Sequence, residues 1–177
     1  MDKAFVANLV RLACDGAKAD GATLFLVDRS GKYLEPFVIH DLPQSYIEGI
    51  GRVEVGTQCC GRAVALKKPW IVADMFTDPL FSDGLEGALK SEIRAAFSVP
   101  VIAPSGEAIG SLACHFKQPR TPSENDLERN TIFATLIAHT LAWSPKIRAA
   151  EDEDIAKVDP TKAVNTPRRP WGGLIKL

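Results

Sequence analysis

The sequence has no apolar run near the roughly 20 residues that a membrane-spanning helix requires. Its start, Met1-Asp2-Lys3, has neither the charge pattern nor the cleavage site of a secretory leader. The expectation is a soluble, cytoplasmic protein with no membrane insertion. It also lacks a basic excess: 21 Lys and Arg stand against 22 Asp and Glu, a net charge of -1. That balance gives no electrostatic footprint for nucleic acid. With three histidines, little is left for general acid–base work. There is no Gly-x-Ser-x-Gly elbow, no hydrolase triad and no Gly-rich phosphate loop. No His, Cys and carboxylate cluster shows ligand spacing, so no metal site is expected. The four cysteines, Cys14, Cys59, Cys60 and Cys114, are too few to define a disulfide scaffold in a chain of 177 residues. Reduced thiols are expected.

Apolar residues make up 46% of the chain and charged residues 24%, the values of a globular domain. Residues 2–18 carry Phe5, Val6, Leu9, Leu12 and Ala13 at helical spacing. The apolar run 22–27 reads as a strand. Turn residues at 28–31 and a return strand at 33–40 follow it, with Pro36 marking an edge or a bulge. A short helix or turn at 43–50 precedes a possible strand at 52–55. A helix at 59–68 is closed by Pro69, and a strand at 69–73 comes next. Asp83 and Glu86 have capping-box spacing ahead of a further helix. Strands at 95–103 and 108–116 flank a turn. Thr121, Pro122 and Glu124 are read as N-cap, first helical residue and third residue of a final helix that ends near Trp143. Both strand pairs have hairpin-length connections, so an α+β fold with an antiparallel sheet and helices on its faces is expected.

From Pro145 onward the composition changes to prolines, an acidic run at 151–154 and few apolar residues. The expected organisation is a folded domain at 1–144 and a disordered arm at 145–177. Within the arm, 167–177 becomes apolar again and is a candidate docking peptide. Arg169, Trp171, Leu174, Ile175 and Leu177 are its anchors for an unidentified protein partner; the alternatives are an unselected tail or one that folds back onto its own domain.

Several short strings, in order, resemble the GAF family of sensory domains over about residues 5–143. They are Gly21-Ala22-Thr23-Leu24, then the run from Gly56 to Ala63. Ile71-Val72-Ala73-Asp74 follows, with Thr77-Asp78-Pro79 after it. Next come Ile93-Arg94-Ala95, Ser98-Val99-Pro100-Val101, the run from Gly106 to Gly110, and that from Pro119 to Glu124. The resemblance is nearest to versions found in bacterial sensor kinases and cyclic-dinucleotide enzymes. It implies a central antiparallel sheet of about six strands, with helices on one face and a pocket on the other. Many relatives bind small molecules there and dimerise through terminal helices.

The resemblance makes Cys60, Asp74, Phe81, Arg94, Phe97 and His115 candidate ligand contacts. Cys60 lies near a helix N-terminus with Arg62 close by, which favours a thiolate; the alternative is a small buried residue beside Gly61. Arg94, with Asp74 and Asp78, resembles a pocket rim able to hold an anion by a fork of donors; the alternative is a structural ion pair or turn cap. Phe76, Phe81 and Phe97 make the pocket too apolar for a cyclic nucleotide. Strand alternation sends Cys114 and His115 to opposite faces. His115 matches a bilin-facing histidine of phytochrome GAF domains, but the other phytochrome signatures are absent. Haem through His115 or His139 rests on a lone histidine. No cofactor is required, and bilin and haem are disfavoured. One GAF branch reduces free methionine sulfoxide with a loop cysteine, yet residues 79–94 contain no cysteine and no histidine.

The function expected is non-catalytic sensing or regulation, with a small ligand in the pocket and output through a partner protein. The alternative is a structural or adaptor subunit whose pocket is filled by its own side chains; a sulfoxide reductase is disfavoured. The final helix carries a second apolar stripe of Ile132, Leu136 and Trp143, which implies a homodimer; the alternative is that the N-terminal helix of the same chain covers it.

Overall fold

The computed structural model describes residues 3–81 and 85–142. Eleven elements follow in the order α1 (Lys3–Ala17), β1 (Gly21–Val27), β2 (Tyr33–His40), α2 (Gln44–Ile50), β3 (Val53–Glu54), α3 (Gln58–Leu66), β4 (Trp70–Val72), α4 (Leu85–Ser91), β5 (Ala95–Ile102), β6 (Ala108–Phe116) and α5 (Glu124–Ala142). The strands form one six-stranded sheet in the order β3-β2-β1-β6-β5-β4. Each of its pairs is antiparallel, as the hairpin-length connections require.

Strand alternation divides the core into two layers. Ala22 and Leu24 of β1, Phe97 and Val99 of β5, and Leu112 and Cys114 of β6 point toward α1 and α5. Val6, Val10 and Ala13 of α1 and Ala134, Ile137 and Ala138 of α5 meet them there. Phe25, Ala96 and Ala113 point to the other face, under α2, α3 and α4. Helices therefore cover both faces of the sheet.

The turn at 28–31 is built as its residues dictate. The Asp28 carboxylate accepts hydrogen bonds from Ser30 Oγ at 2.7 Å and from the Tyr33 amide at 3.3 Å, and Gly31 takes φ 72°. Pro36 sits at a break in the β1–β2 register: Val38 faces Leu24 and Pro36 faces Phe25, which leaves Phe37 as the extra residue of a bulge. β3 covers β2 only at Tyr33 and Leu34, so Pro36 needs no outer partner.

The start of α5 corrects the sequence reading. Thr121 is not its cap. Ser123 Oγ accepts from the Asp126 amide at 3.2 Å, and the Asp126 carboxylate accepts from the Ser123 amide at 3.0 Å. This reciprocal pair moves the helix start to Glu124. Ile132 and Leu136 are exposed on α5, as are Phe5 and Leu12 on α1. Trp143, Asp83 and the arm at 145–177 lie outside the described residues. Among the described residues, no helix is long and apolar enough to cross a membrane.

Gly61 packs α3 against the loop before it. A Cβ here would run into the Glu54 carbonyl oxygen and lie 3.2 Å from the Gly56 nitrogen. Both are backbone atoms that cannot swing aside. Gly61→Ala gains up to about 1 kcal/mol of helix propensity but incurs an overpacking cost of about 1–3 kcal/mol. The expected net result is a loss of about 1–2 kcal/mol, read as a lower denaturant midpoint. A stabilised variant would show that the Glu54 carbonyl moves freely.

Candidate ligand-binding site

Three strands that are otherwise apolar carry polar side chains on the face beneath α2 and α3. Thr23 comes from β1, Ser98 from β5, and Ser111 and His115 from β6; all four are buried. The register explains the grouping. Thr23 is aligned with Ala113 between Ser111 and His115, and Ser98 is also aligned with Ala113. The His115 ring is hydrogen-bonded through Nε2 to Thr23 Oγ1 at 3.0 Å and through Nδ1 to the Tyr46 hydroxyl at 3.0 Å. Tyr46 also meets the ring edge-on, with centroids 5.2 Å apart. Ser98 and Ser111 share a hydrogen bond of 2.9 Å.

A cavity of about 10 Å³ lies over this group, roughly the space of one water molecule. Its wall combines Thr23 and His115 with Tyr46 and Ile50 of α2, Gln58, Cys59 and Cys60 of α3, and Met75 and Phe81 of the loop after β4. Gln58, the first residue of α3, has φ 48°. A non-glycine residue in that region is uncommon and costs roughly 1–3 kcal/mol, so backbone strain is held at the wall of the cavity.

Burial sets the charge state of the group. Desolvation pushes the pKa of His115 down to about 3, so the ring is neutral at pH 7. Each ring nitrogen is already paired with a hydroxyl, which leaves none free for a haem iron. His139, on the last turn of α5, is exposed and away from the cavity. Cys60 does line the cavity, but its thiol is pushed up by burial; the hydroxyls of Ser111, Ser98 and Thr23 pull the other way and offset only part. Of the two readings of Cys60, burial supports the small buried residue beside Gly61: desolvation holds the thiol in its protonated form. Cys59 donates to the Trp70 carbonyl at 3.5 Å and is likewise pushed up by burial.

Asp74 and Arg94 are brought together, beside the cavity rather than in its wall. The guanidinium donates from Nε to Oδ1 at 3.0 Å and from Nη2 to Oδ2 at 2.6 Å. Asp74 Oδ1 also accepts from the Phe76 amide at 3.1 Å, and Arg94 lies 4.1 Å from the Phe76 ring centroid. The Arg94 guanidinium holds the Asp74 carboxyl below its usual range. Asp78 caps the same loop by accepting from the Leu80 amide at 2.8 Å. The fork read as an anion holder is thus occupied by Asp74. Its work is positional: it fixes the loop whose Met75 and Phe81 plug the cavity.

A family model described as GAF domain matches residues 3–141. The chain belongs to the GAF family. The sheet order and helix placement described above are those of a GAF domain. A methyl sulfide methyltransferase-associated sensor from Methanosarcina acetivorans is 30% identical over 108 residues, covering 60% of this chain and 11% of that protein. The chain thus spans about a tenth of that relative's length. The GAF domain of a phosphoenolpyruvate-protein phosphotransferase from Coxiella burnetii superposes with TM-score 0.70 at 20% identity, covering 83% of this chain and 86% of that one. A free methionine-R-sulfoxide reductase from Neisseria meningitidis, solved with its substrate, superposes with TM-score 0.62 at 20% identity over 77% and 75% of the two chains.

Of the six expected ligand contacts of this GAF domain, Cys60, Phe81 and His115 reach the cavity wall. Phe97 does not. It points into the α1–α5 layer and stacks on Phe116 with centroids 6.0 Å apart. The one-residue alternation of β5 places its neighbours Ala96 and Ser98 on the cavity side instead. Sequence reasoning missed Tyr46, Thr23, Ser98, Ser111 and Gln58. A signal for three of them was present, because Thr23, Ser98 and Ser111 are the polar interruptions of strands otherwise rich in apolar residues. Among the described residues, no cluster of His, Cys, Asp and Glu has the arrangement of a metal site.

Proposed function

We propose that this GAF domain is a non-catalytic sensory module that binds a small ligand on the sheet face beneath α2 and α3. The observation that carries this reading is the buried polar group of Thr23, His115, Tyr46, Cys60, Ser98 and Ser111. A sheet face needed only for packing would do better with apolar side chains, since each buried polar group must recover its desolvation cost. The Methanosarcina acetivorans relative is named as a sensor, in keeping with a role in signalling. Against catalysis, residues 79–94 contain no cysteine, and burial raises the pKa of Cys60. The signal leaves through the terminal helices α1 and α5. Their exposed Phe5, Leu12, Ile132 and Leu136 supply an apolar surface for a second copy, and the segment 167–177 offers a docking peptide for another protein.

One observation favours a second reading. Tyr46, Met75 and Phe81 leave a cavity of only about 10 Å³, as a structural subunit with a self-filled pocket would have. Native mass spectrometry of gently purified protein, paired with a thermal-shift panel of metabolites, separates the two. Sensing requires a stoichiometric small-molecule adduct or a saturable rise in Tm. A clean apo mass with no shift across the panel favours the structural subunit. The same spectrum reads the homodimer: a mass of one chain at micromolar concentration would exclude it.

A further inference from the structure

We infer that α2 is a lid over a hidden site for an uncharged, hydrogen-bonding small molecule, latched shut by the Tyr46–His115 hydrogen bond. This rests on the ligand-binding reading above and specifies how that site opens and what it admits. Three observations carry it.

The first is how α2 is held. α3 lies directly against β5 and β6, whereas α2 packs chiefly on α4. At their crossing Gly49 meets Gly87 so closely that a Cβ on either would strike the other's backbone. Ser45 Oγ and Ser91 Oγ add a hydrogen bond of 3.2 Å between the same two helices. Among the described residues, a single side-chain hydrogen bond ties α2 to the sheet, from Tyr46 to His115. The two helices are thus joined to one another by backbone contact and to the sheet by side chains. An element held this way separates from the core at lower cost than one whose backbone lies on the sheet.

The second observation is what α2 hides. Space for one water cannot admit a ligand, so binding requires the wall to move. Tyr46 and Ile50 belong to α2, and moving them uncovers Thr23 and His115 beneath. His115 remains bonded to Thr23 when Tyr46 leaves, so the floor stays ordered while the lid opens. A ligand group able to donate or accept can then replace the tyrosine hydroxyl at Nδ1.

The third is charge. Among the described residues, the cavity wall contains no Asp, Glu, Lys or Arg, and the Arg94 fork beside it is occupied by Asp74. A charged ligand would lose its hydration with no partner of opposite charge in the wall to offset the loss, whereas an uncharged one meets the Thr23 hydroxyl and the His115 ring, which can donate or accept.

The cysteines supply the test without any ligand. Cys60 lines the cavity from α3 and is 7% exposed in the closed form, while Cys114 is fully buried in the α1–α5 layer and reports wider unfolding. The unliganded protein is labelled under native conditions with iodoacetamide, which is neutral, and with iodoacetate, which is anionic and of similar size. Site-resolved rates are read by peptide mass spectrometry and normalised to those of the unfolded chain. Iodoacetamide is expected to label Cys60 at least tenfold faster than Cys114 and to outpace iodoacetate at Cys60. In Tyr46→Phe, Cys60 labelling should rise about tenfold, as expected for a lost buried hydrogen bond, with Cys114 unchanged. Ser45→Ala, which breaks a bond within the moving pair, should leave Cys60 unchanged. Equal rates at Cys60 and Cys114 in the wild type would overturn the lid, and that comparison stands even if Tyr46→Phe fails to fold. A parallel rise at both cysteines in the variant, or none at Cys60, would overturn the latch; equal entry of the two reagents would overturn the preference for uncharged molecules. A lid that opens in a protein with no adduct and no metabolite shift would separate failure of the ligand reading from failure of this one.

Discussion

Phe97→Ala lowers the unfolding free energy by about 3–5 kcal/mol, the range for removing a large aromatic side chain from a packed core. Phe97 is fully buried between the sheet and the helices α1 and α5, stacked on Phe116. The cavity it leaves is walled by strand backbone and by two helices, which cannot collapse far into it. Urea unfolding measures the loss as a lower midpoint with an unchanged slope. The same variant separates Phe97 from the ligand site. Any small molecule found by native mass spectrometry should bind the folded variant as it binds the wild type, because the ring points away from the cavity. A loss below about 1 kcal/mol would contradict the fully packed position, since overlap with even modest core truncations begins there.

Acid destabilises the protein in part through His115, and that share of the slope disappears in His115→Gln. The folded-state pKa is pushed down to about 3, whereas an unfolded histidine titrates near 6.5. Above pH 6.5 both states hold the ring neutral and the residue contributes no pH dependence. Below it the unfolded chain binds a proton that the folded chain refuses, so stability falls as pH drops from about 6.5 toward 3. Each pH unit in that window is worth about 1.4 kcal/mol, which gives a loss of about 2.5–3 kcal/mol between pH 7 and pH 4.5. The measurement is the difference between wild type and His115→Gln in denaturant midpoints across that range. Glutamine retains a donor and an acceptor for Thr23 and Tyr46. Parallel pH profiles for the two proteins would show that His115 takes up its proton as readily in the folded chain as in the unfolded one.

The elements were largely legible in the sequence because each had a local cause. The return strand at 33–40 and the strand at 108–116 coincide with β2 and β6, since turn residues and apolar content define both without help from tertiary contacts. The bulge at Pro36 followed from the missing N–H. The face of Phe97 was not legible, because choosing a face for a strand that is apolar on both sides requires its register. Cys114 and His115 were separable for the opposite reason: adjacent strand residues must diverge. The α5 start was missed by two positions because Thr121 and Ser123 both offer a capping hydroxyl. Only the Asp126 carboxylate, placed to answer Ser123, decides between them. Tyr46 was invisible as a site residue. Nothing local to a seven-residue helix tells that its hydroxyl meets a ring 69 positions along the chain.

The flanks of the sheet have a consequence for how copies of this chain can associate. β3 has two residues and β4 three, while the long strands β1, β5 and β6 lie inside. β2 extends beyond β3, but its outer rim is interrupted by Pro36 and by the bulge at Phe37. Among the described residues, a second chain seeking to extend the sheet finds no continuous row of free amides and carbonyls longer than a few residues. Strand-to-strand polymerisation, the common route from a folded β-sheet to insoluble fibres, is therefore disfavoured at the edges of this sheet. Pressure, agitation or crowding should drive self-association through helix surfaces, and the resulting particles should remain reversible and poor at enhancing thioflavin fluorescence.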